Sequence, residues 1–208
     1  MDILERVKYK DYTIEISSDE YVENPREWDN LGIMVYKHRK YALGDKEISF
    51  ETFAEFVNNE FSIIDFENCY MSEKEKDKID RWIEKNLIVL DLYLYDHSGI
   101  TMNTTGFSCC WDSGQVGFIY ISKEKAKKEL NFKILTSARI ETIKEYLKNE
   151  VSVFDSYISG DCYCFGIINP AGETIDTCGC FYGSDFEKNG LLTIAKENIN
   201  YDINNKQE

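Results

Sequence analysis

Hydrophobic and polar positions alternate with period two through Tyr12-Thr13-Ile14-Glu15-Ile16, the pattern of a strand buried on one face. Ser17 to Asp29 is polar and acidic and reads as a loop. Leu31 to Tyr36 is a second strand that runs into the basic cluster Lys37-His38-Arg39-Lys40. Phe50, Phe53, Ala54 and Val57 recur at helical spacing behind Ser49, which predicts a helix beginning at Phe50 with Ser49 as its cap. The charged stretch from Ser72 to Lys85 is helical by the spacing of Ile79, Trp82 and Ile83. A β-rich middle follows: a strand over Leu87 to Tyr95, a turn at His97-Ser98-Gly99, a return strand over Ile100 to Thr104, and a strand over Val116 to Ile121. Ser122 then caps a Lys/Glu helix reaching Leu130. The longest helical pattern lies in Thr136 to Ser159, where Ile140, Ile143, Leu147, Val151, Phe154 and Ile158 fall three or four apart and Gly160 ends the run. Strands over Cys162 to Ile168 and Glu173 to Cys180 flank the turn Asn169-Pro170-Ala171-Gly172, and a last helix is predicted over Asp185 to Asn200.

Strands and helices mix without regular βαβ alternation. The expectation is an α+β fold: a single domain over residues 1–208, a largely antiparallel sheet, a long helix over about 136–159, and a C-terminal helix packed on it. The acidic loop 17–29 is its one distinct N-terminal feature. The 208 residues carry 24 Lys+Arg against 38 Asp+Glu, a formal charge of −14. Such a balance argues against direct gripping of nucleic-acid phosphates or of an anionic membrane surface. With 43% hydrophobic and 14% aromatic residues, the chain has the material for a core and is not a disordered acidic tail. No apolar run is long enough to span a bilayer. The N-terminus has no signal-peptide pattern. Seven cysteines, an odd number, fit a reducing cytoplasm.

The densest chemistry lies between Asp96 and Gly117. One reading makes Asp96, His97, Asp112 and Gln115 the polar lining of a pocket walled by Trp111, with His97 as the group able to move a proton near neutral pH. The other has Asp96 and Asp112 holding tight turns through side-chain bonds to backbone amides. His38 and Arg39 sit in the one basic island. That island either receives an anion through the guanidinium fork or pairs internally with Asp29 and Asp45. Two Cys-x-Cys units form the metal candidate. A three-residue hairpin loop would set Cys162 against Cys180 and Cys164 against Cys178, four sulfurs on one face suited to Zn²⁺. Strand spacing would hold successive sulfurs about 6–7 Å apart, which favours packing as small hydrophobes. No metal or cofactor is therefore expected. Nor does the chain hold a Walker loop, G-x-G-x-x-G, H-E-x-x-H or G-x-S-x-G motif.

Four motifs together, Asp29-Asn30-Leu31-Gly32, His38-Arg39 with Leu43-Gly44-Asp45, Asp96-His97-Ser98-Gly99-Ile100-Thr101-Met102-Asn103, and Trp111-Asp112-Ser113-Gly114-Gln115-Val116-Gly117, resemble a family of proteins carried by bacteriophages, plasmids and other mobile elements. The resemblance spans roughly Asp29 to Gly183. It implies a protein acting in the cytoplasm of a bacterial host, where a charge of −14 has a use. An acidic protein can occupy the basic nucleic-acid channel of a host defence complex, in the manner of an anti-CRISPR or anti-restriction inhibitor. On that expectation the protein is not an enzyme, and Asp19, Glu20, Glu23, Glu27 and Asp29 meet the partner complex. The alternative is a pocket protein that sequesters or hydrolyses a small anionic ligand such as a signalling nucleotide. It would use the Asp96–Gly117 stretch with His38 and Arg39.

Overall fold

The computed structural model describes residues 2–49, 52–65 and 71–205. Their elements run β1 (Ile3–Tyr9), β2 (Tyr12–Ser18), β3 (Ile33–Tyr36), β4 (Lys46–Glu47), α1 (Phe53–Phe61), α2 (Glu73–Asn86), β5 (Leu87–Asp96), β6 (Ile100–Asn103), β7 (Ser113–Ser122), α3 (Lys123–Glu129), α4 (Ser137–Ser159), β8 (Cys162–Ile168), β9 (Thr174–Tyr182) and α5 (Leu191–Asn205), with one 3₁₀ turn at Pro25–Glu27. The α+β class is as expected, but the strands form two sheets. The chain gathers into two compact units, one from residues 1–27 with 153–208, the other from 28–152.

The first unit is a four-stranded antiparallel sheet in the order β1-β2-β8-β9. Alternation along β2 sends Tyr12, Ile14 and Ile16 to one face, where they meet Phe165, Ile167 and Phe181. The C-terminal helix α5 closes this core with Leu191, Leu192, Ala195 and Ile199, all buried. It begins at Leu191 rather than near Asp185, because the Asp185 and Asn189 side chains cap separate turns ahead of it. Glu15, Ser17, Cys164 and Gly166 alternate onto the opposite face.

The second unit holds a five-stranded sheet in the order β4-β3-β7-β5-β6, antiparallel except where β3 meets β4. Helices α1 and α2 bury Phe53, Phe56, Val57 and Ile79 against Val35, Leu87 and Tyr120 on one face. Thr52, not Ser49, caps α1: its hydroxyl accepts from Glu55 N while the Glu55 carboxylate accepts from Thr52 N. The predicted start at Phe50 lies outside the described residues. Ser72 and Glu75 repeat the same box on α2. On the other face, Leu147 of α4 packs on Ile119 beside Gly32, where an added Cβ would stand 2.5 Å from Leu147 Cδ2.

Candidate functional site

Pairing register brings three connections to one end of the five-stranded sheet. Tyr36 at the end of β3 lies opposite Gly117, and the next residue donates from Lys37 N to Val116 O at 2.8 Å. An added Cβ on Gly117 would fall on the Val35 carbonyl, so this close approach requires glycine. β7 then runs on past β3 to pair with the end of β5, Ser113 opposite Tyr95, and Asp96 N donates to Asp112 O at 2.8 Å. The 37–45 loop, the 97–99 turn and the 104–112 run therefore share this end.

His38 anchors the first of these. Its Nδ1 accepts from the backbone N–H of Lys40 (3.3 Å) and Tyr41 (3.2 Å), which leaves the ring proton on Nε2. The imidazole stacks on the Tyr41 ring at 5.2 Å between centroids. Tyr41 OH donates to Asp96 Oδ1 at 3.4 Å, and Lys40 Nζ stands 4.0 Å from Asp96 Oδ2 while lying over the Tyr41 ring. The hydrogen bond with Tyr41 and the Asp96 charge hold the Lys40 ammonium above its ordinary pKa. One residue on, His97 Nδ1 lies 3.4 Å from Asp112 Oδ2, and Cys109 Sγ lies 3.8 Å from the same oxygen. The Cys109 thiol thus donates to the Asp112 carboxylate.

The concave surface lies beside this cluster. A groove of about 810 Å³ is lined by Lys37, His38, Arg39, Glu47, Ile48 and Ser49. A smaller cavity of about 210 Å³ adjoins it through Lys37 and Ile48 and reaches Thr52 and Gln115. Three consecutive basic residues thus line one groove in an acidic chain. Arg39 has no ion-pair partner among the described residues. Within the basic island Lys40 turns to Asp96, and Asp45 Oδ2 accepts from Met34 N at 2.7 Å.

The structure therefore brings His38, Arg39, Asp96, His97, Asp112 and Gln115 to one end of one sheet. The side chains of Asp96 and Asp112 meet Tyr41, Lys40, His97 and Cys109 rather than the turn amides expected of them. Gln115 Nε2 donates to Asp91 Oδ1 at 3.0 Å, and Tyr93 OH to Asp91 Oδ2 at 3.3 Å. Trp111 walls nothing: it is 92% exposed. Glu47 and Ile48 carry no sequence signal as groove residues because β4 is two residues long and has no periodicity to detect, and Ser49 lines the groove instead of capping α1.

Many residues of the four motifs hold local structure together. Asp45 N donates to Met34 O while its carboxylate takes Met34 N, and Gly44 makes room for the Met34 side chain, so Leu43-Gly44-Asp45 docks the loop onto β3. The Asp29–Gly32 segment is clasped from two sides. Lys125 Nζ donates to the carbonyls of Asn30 and Leu31, and Glu150 accepts from the amides of Leu31 and Gly32. Asn103 Oδ1 accepts from Thr105 N and Gly106 N, an Asx turn.

The acidic residues divide between the units. Glu20, Glu23 and Glu27 are exposed in the first unit, and Asp29 belongs to the second. Asp19 is turned inward, Oδ1 accepting from Tyr21 N at 3.0 Å and Oδ2 from Cys180 N at 2.8 Å.

The zinc arrangement is not formed. Cys162 lies opposite Tyr182, not Cys180, and Cys178 opposite Phe165, not Cys164. Two register shifts in the hairpin, one beside Ile168 and one beside Cys164, displace the pairing, and Cys180 takes a left-handed φ of 62° in the second. Among the described residues, no group of three or more His, Cys, Asp or Glu side chains is placed to hold a metal ion. Burial first, then the charges of Asp19, Asp161 and Cys180, push the Cys162 thiol up to about 11. No described helix is long and apolar enough to cross a membrane.

No family model matches this chain, and neither a curated protein nor a solved structure does.

Proposed function

We propose that the protein binds a small phosphate-bearing anion in the groove of Lys37, His38 and Arg39. The observation that supports this reading is the meeting of three consecutive basic residues on one concave surface, with Arg39 left unpaired among the described residues. Arg39 offers a planar fork to a phosphate and Lys37 a point charge. His38, with Nδ1 already used by two backbone amides, keeps Nε2–H as a donor. Asp96 and Tyr41 hold the loop that carries these groups, which makes them positioning residues. No covalent step is assigned to the site. Calorimetric titration with inorganic pyrophosphate tests the reading. Binding to the wild type and a loss of tenfold or more in Arg39→Glu support it; equal affinity of the two proteins refutes it.

A second reading rests on the first unit. Glu20, Glu23 and Glu27 are exposed in one segment beside Tyr21, which is 85% exposed. Acid around a bare aromatic suits docking onto a basic protein surface, the nucleic-acid channel of a host defence complex on the mobile-element resemblance. Capture of such a complex at low salt, lost at high salt and in a Glu20, Glu23 and Glu27 to Gln triple variant, is the expected result. Capture unaffected by salt overturns it.

A further inference from the structure

The open face of the four-stranded sheet carries chemistry that the basic groove does not use. A trough of about 470 Å³ lies there, formed by residues of the first unit alone. Its charged lining residues are Glu15 and Asp19, with no cation among them. Glu15, Ser17 and Asp19 share one face of β2 and its extension, where Asp19 N still pairs with Cys162 O at 2.9 Å. Four residues separate the two carboxylates, about 13 Å along the strand at roughly 3.3 Å per residue. Arg6 engages Glu15 through Oε1 alone, and each Asp19 oxygen takes one backbone N–H. Both carboxylates thus keep lone pairs for a further donor.

Between them stands Ser17, only 6% exposed and lining the trough, its hydroxyl without a hydrogen-bond partner among the described residues. The hydroxyl opens onto the trough, since among the described residues no side-chain N or O that is itself buried is left without a partner. Two glycines keep the space open. Around a Cβ added to Gly166 the nearest atom is Thr177 Cγ2 at 3.9 Å, so the missing side chain leaves a void. At Gly179 an added Cβ would stand 2.3 Å from Asp19 Oδ2, so glycine there lets the carboxylate sit at the trough. Ile3 and Ile168 supply apolar wall.

We infer that this trough binds an extended aliphatic polyamine, with ammonium groups on Glu15 and Asp19, Ser17 accepting between them, and methylenes lying over Gly166. Carboxylates spaced along an otherwise small and apolar floor match cations spaced along a methylene chain. A metal ion would need its ligands converged, and none converge here.

The test is calorimetric titration of the full chain with spermidine at physiological salt. Wild type is expected to bind at one site. Gly166→Val fills the trough with a strand-favouring side chain, leaves the net charge unchanged, and is expected to fold while losing tenfold or more in affinity. Asp19→Asn, which keeps an acceptor for Cys180 N, is expected to lose a comparable amount. Spermidine bound equally by wild type and Gly166→Val is diffuse attraction to an acidic protein and overturns the inference, as does the absence of wild-type binding. Arg39→Glu serves as the control for independence from the basic groove and is expected to bind spermidine as the wild type does.

Discussion

Gly32→Ala places a methyl group where the second unit has no room. The new Cβ would lie 2.5 Å from Leu147 Cδ2 and 2.8 Å from Ile119 Cγ1, against an ordinary carbon contact of about 3.5–4.0 Å. Leu147 and Ile119 are both fully buried, so neither has solvent to retreat into. Overpacking of this kind costs about 1–3 kcal/mol. Leu147→Ala alone costs about 2–5 kcal/mol through lost burial and the cavity left behind. Because the closest clash is with an atom that Leu147→Ala deletes, the double variant should be more stable than the sum of the single effects predicts, by about 1–2 kcal/mol. Urea unfolding followed by tryptophan fluorescence reads this directly. With a slope of about 1–3 kcal/mol/M, the Gly32→Ala midpoint should fall on the order of 1 M. Gly114→Ala is the control: nothing lies within 4 Å of its added Cβ, and its midpoint should hardly move. Strict additivity in the double variant, or Gly32→Ala matching Gly114→Ala, refutes the packing argument.

Two further outcomes follow from proton and thiol chemistry. Burial, then the charges of Glu60 and Asp45, push the Tyr120 phenol up to about 12, whereas an unfolded tyrosine ionises near 10. Between those values the folded chain holds a proton the unfolded chain has released, so stability falls as pH rises through that window. Tyr182, raised mainly by burial, adds the same sign, and Tyr120→Phe should flatten the decline in melting temperature measured from pH 9 to 12. Among the thiols, exposed Cys110 should react with iodoacetamide at pH 8 long before Cys162, which is buried and held protonated by a pKa of about 11. Peptide mapping that finds Cys162 labelled first in the folded protein contradicts this.

What the sequence makes legible depends on whether a periodic face exists. The α4 stripe of Ile143, Leu147 and Val151 is buried as its spacing predicts, and Ser122 caps α3. β1 carries no such signal because it is an edge strand whose first four residues are all exposed, so no buried stripe marks it. The turn at Asn169–Gly172 forms where its residues predict it, but bulges beyond it involve partners remote in sequence, such as Asp19 on Cys180 N, and these decide where the cysteines face. At the site, His38, Arg39, Asp96, His97 and Asp112 could be nominated by residue type. That Tyr41 joins the two histidine-bearing segments is a matter of register between β3, β7 and β5. The trough is assembled from strands some 150 positions apart and left no local trace.

That separation bears on how the chain matures. Ile16 pairs with Phe165, and β1 has only β2 beside it. During synthesis the β1–β2 hairpin leaves the ribosome well before β8 exists, and an isolated two-stranded hairpin is marginal in water. Every residue of the second unit, 28–152, has by then been made. Vectorial synthesis thus lets the five-stranded sheet condense first, while the outer edge of β2 waits open for its partner. Mispairing at that edge, and hence chaperone demand, belongs to the interval before β8 emerges.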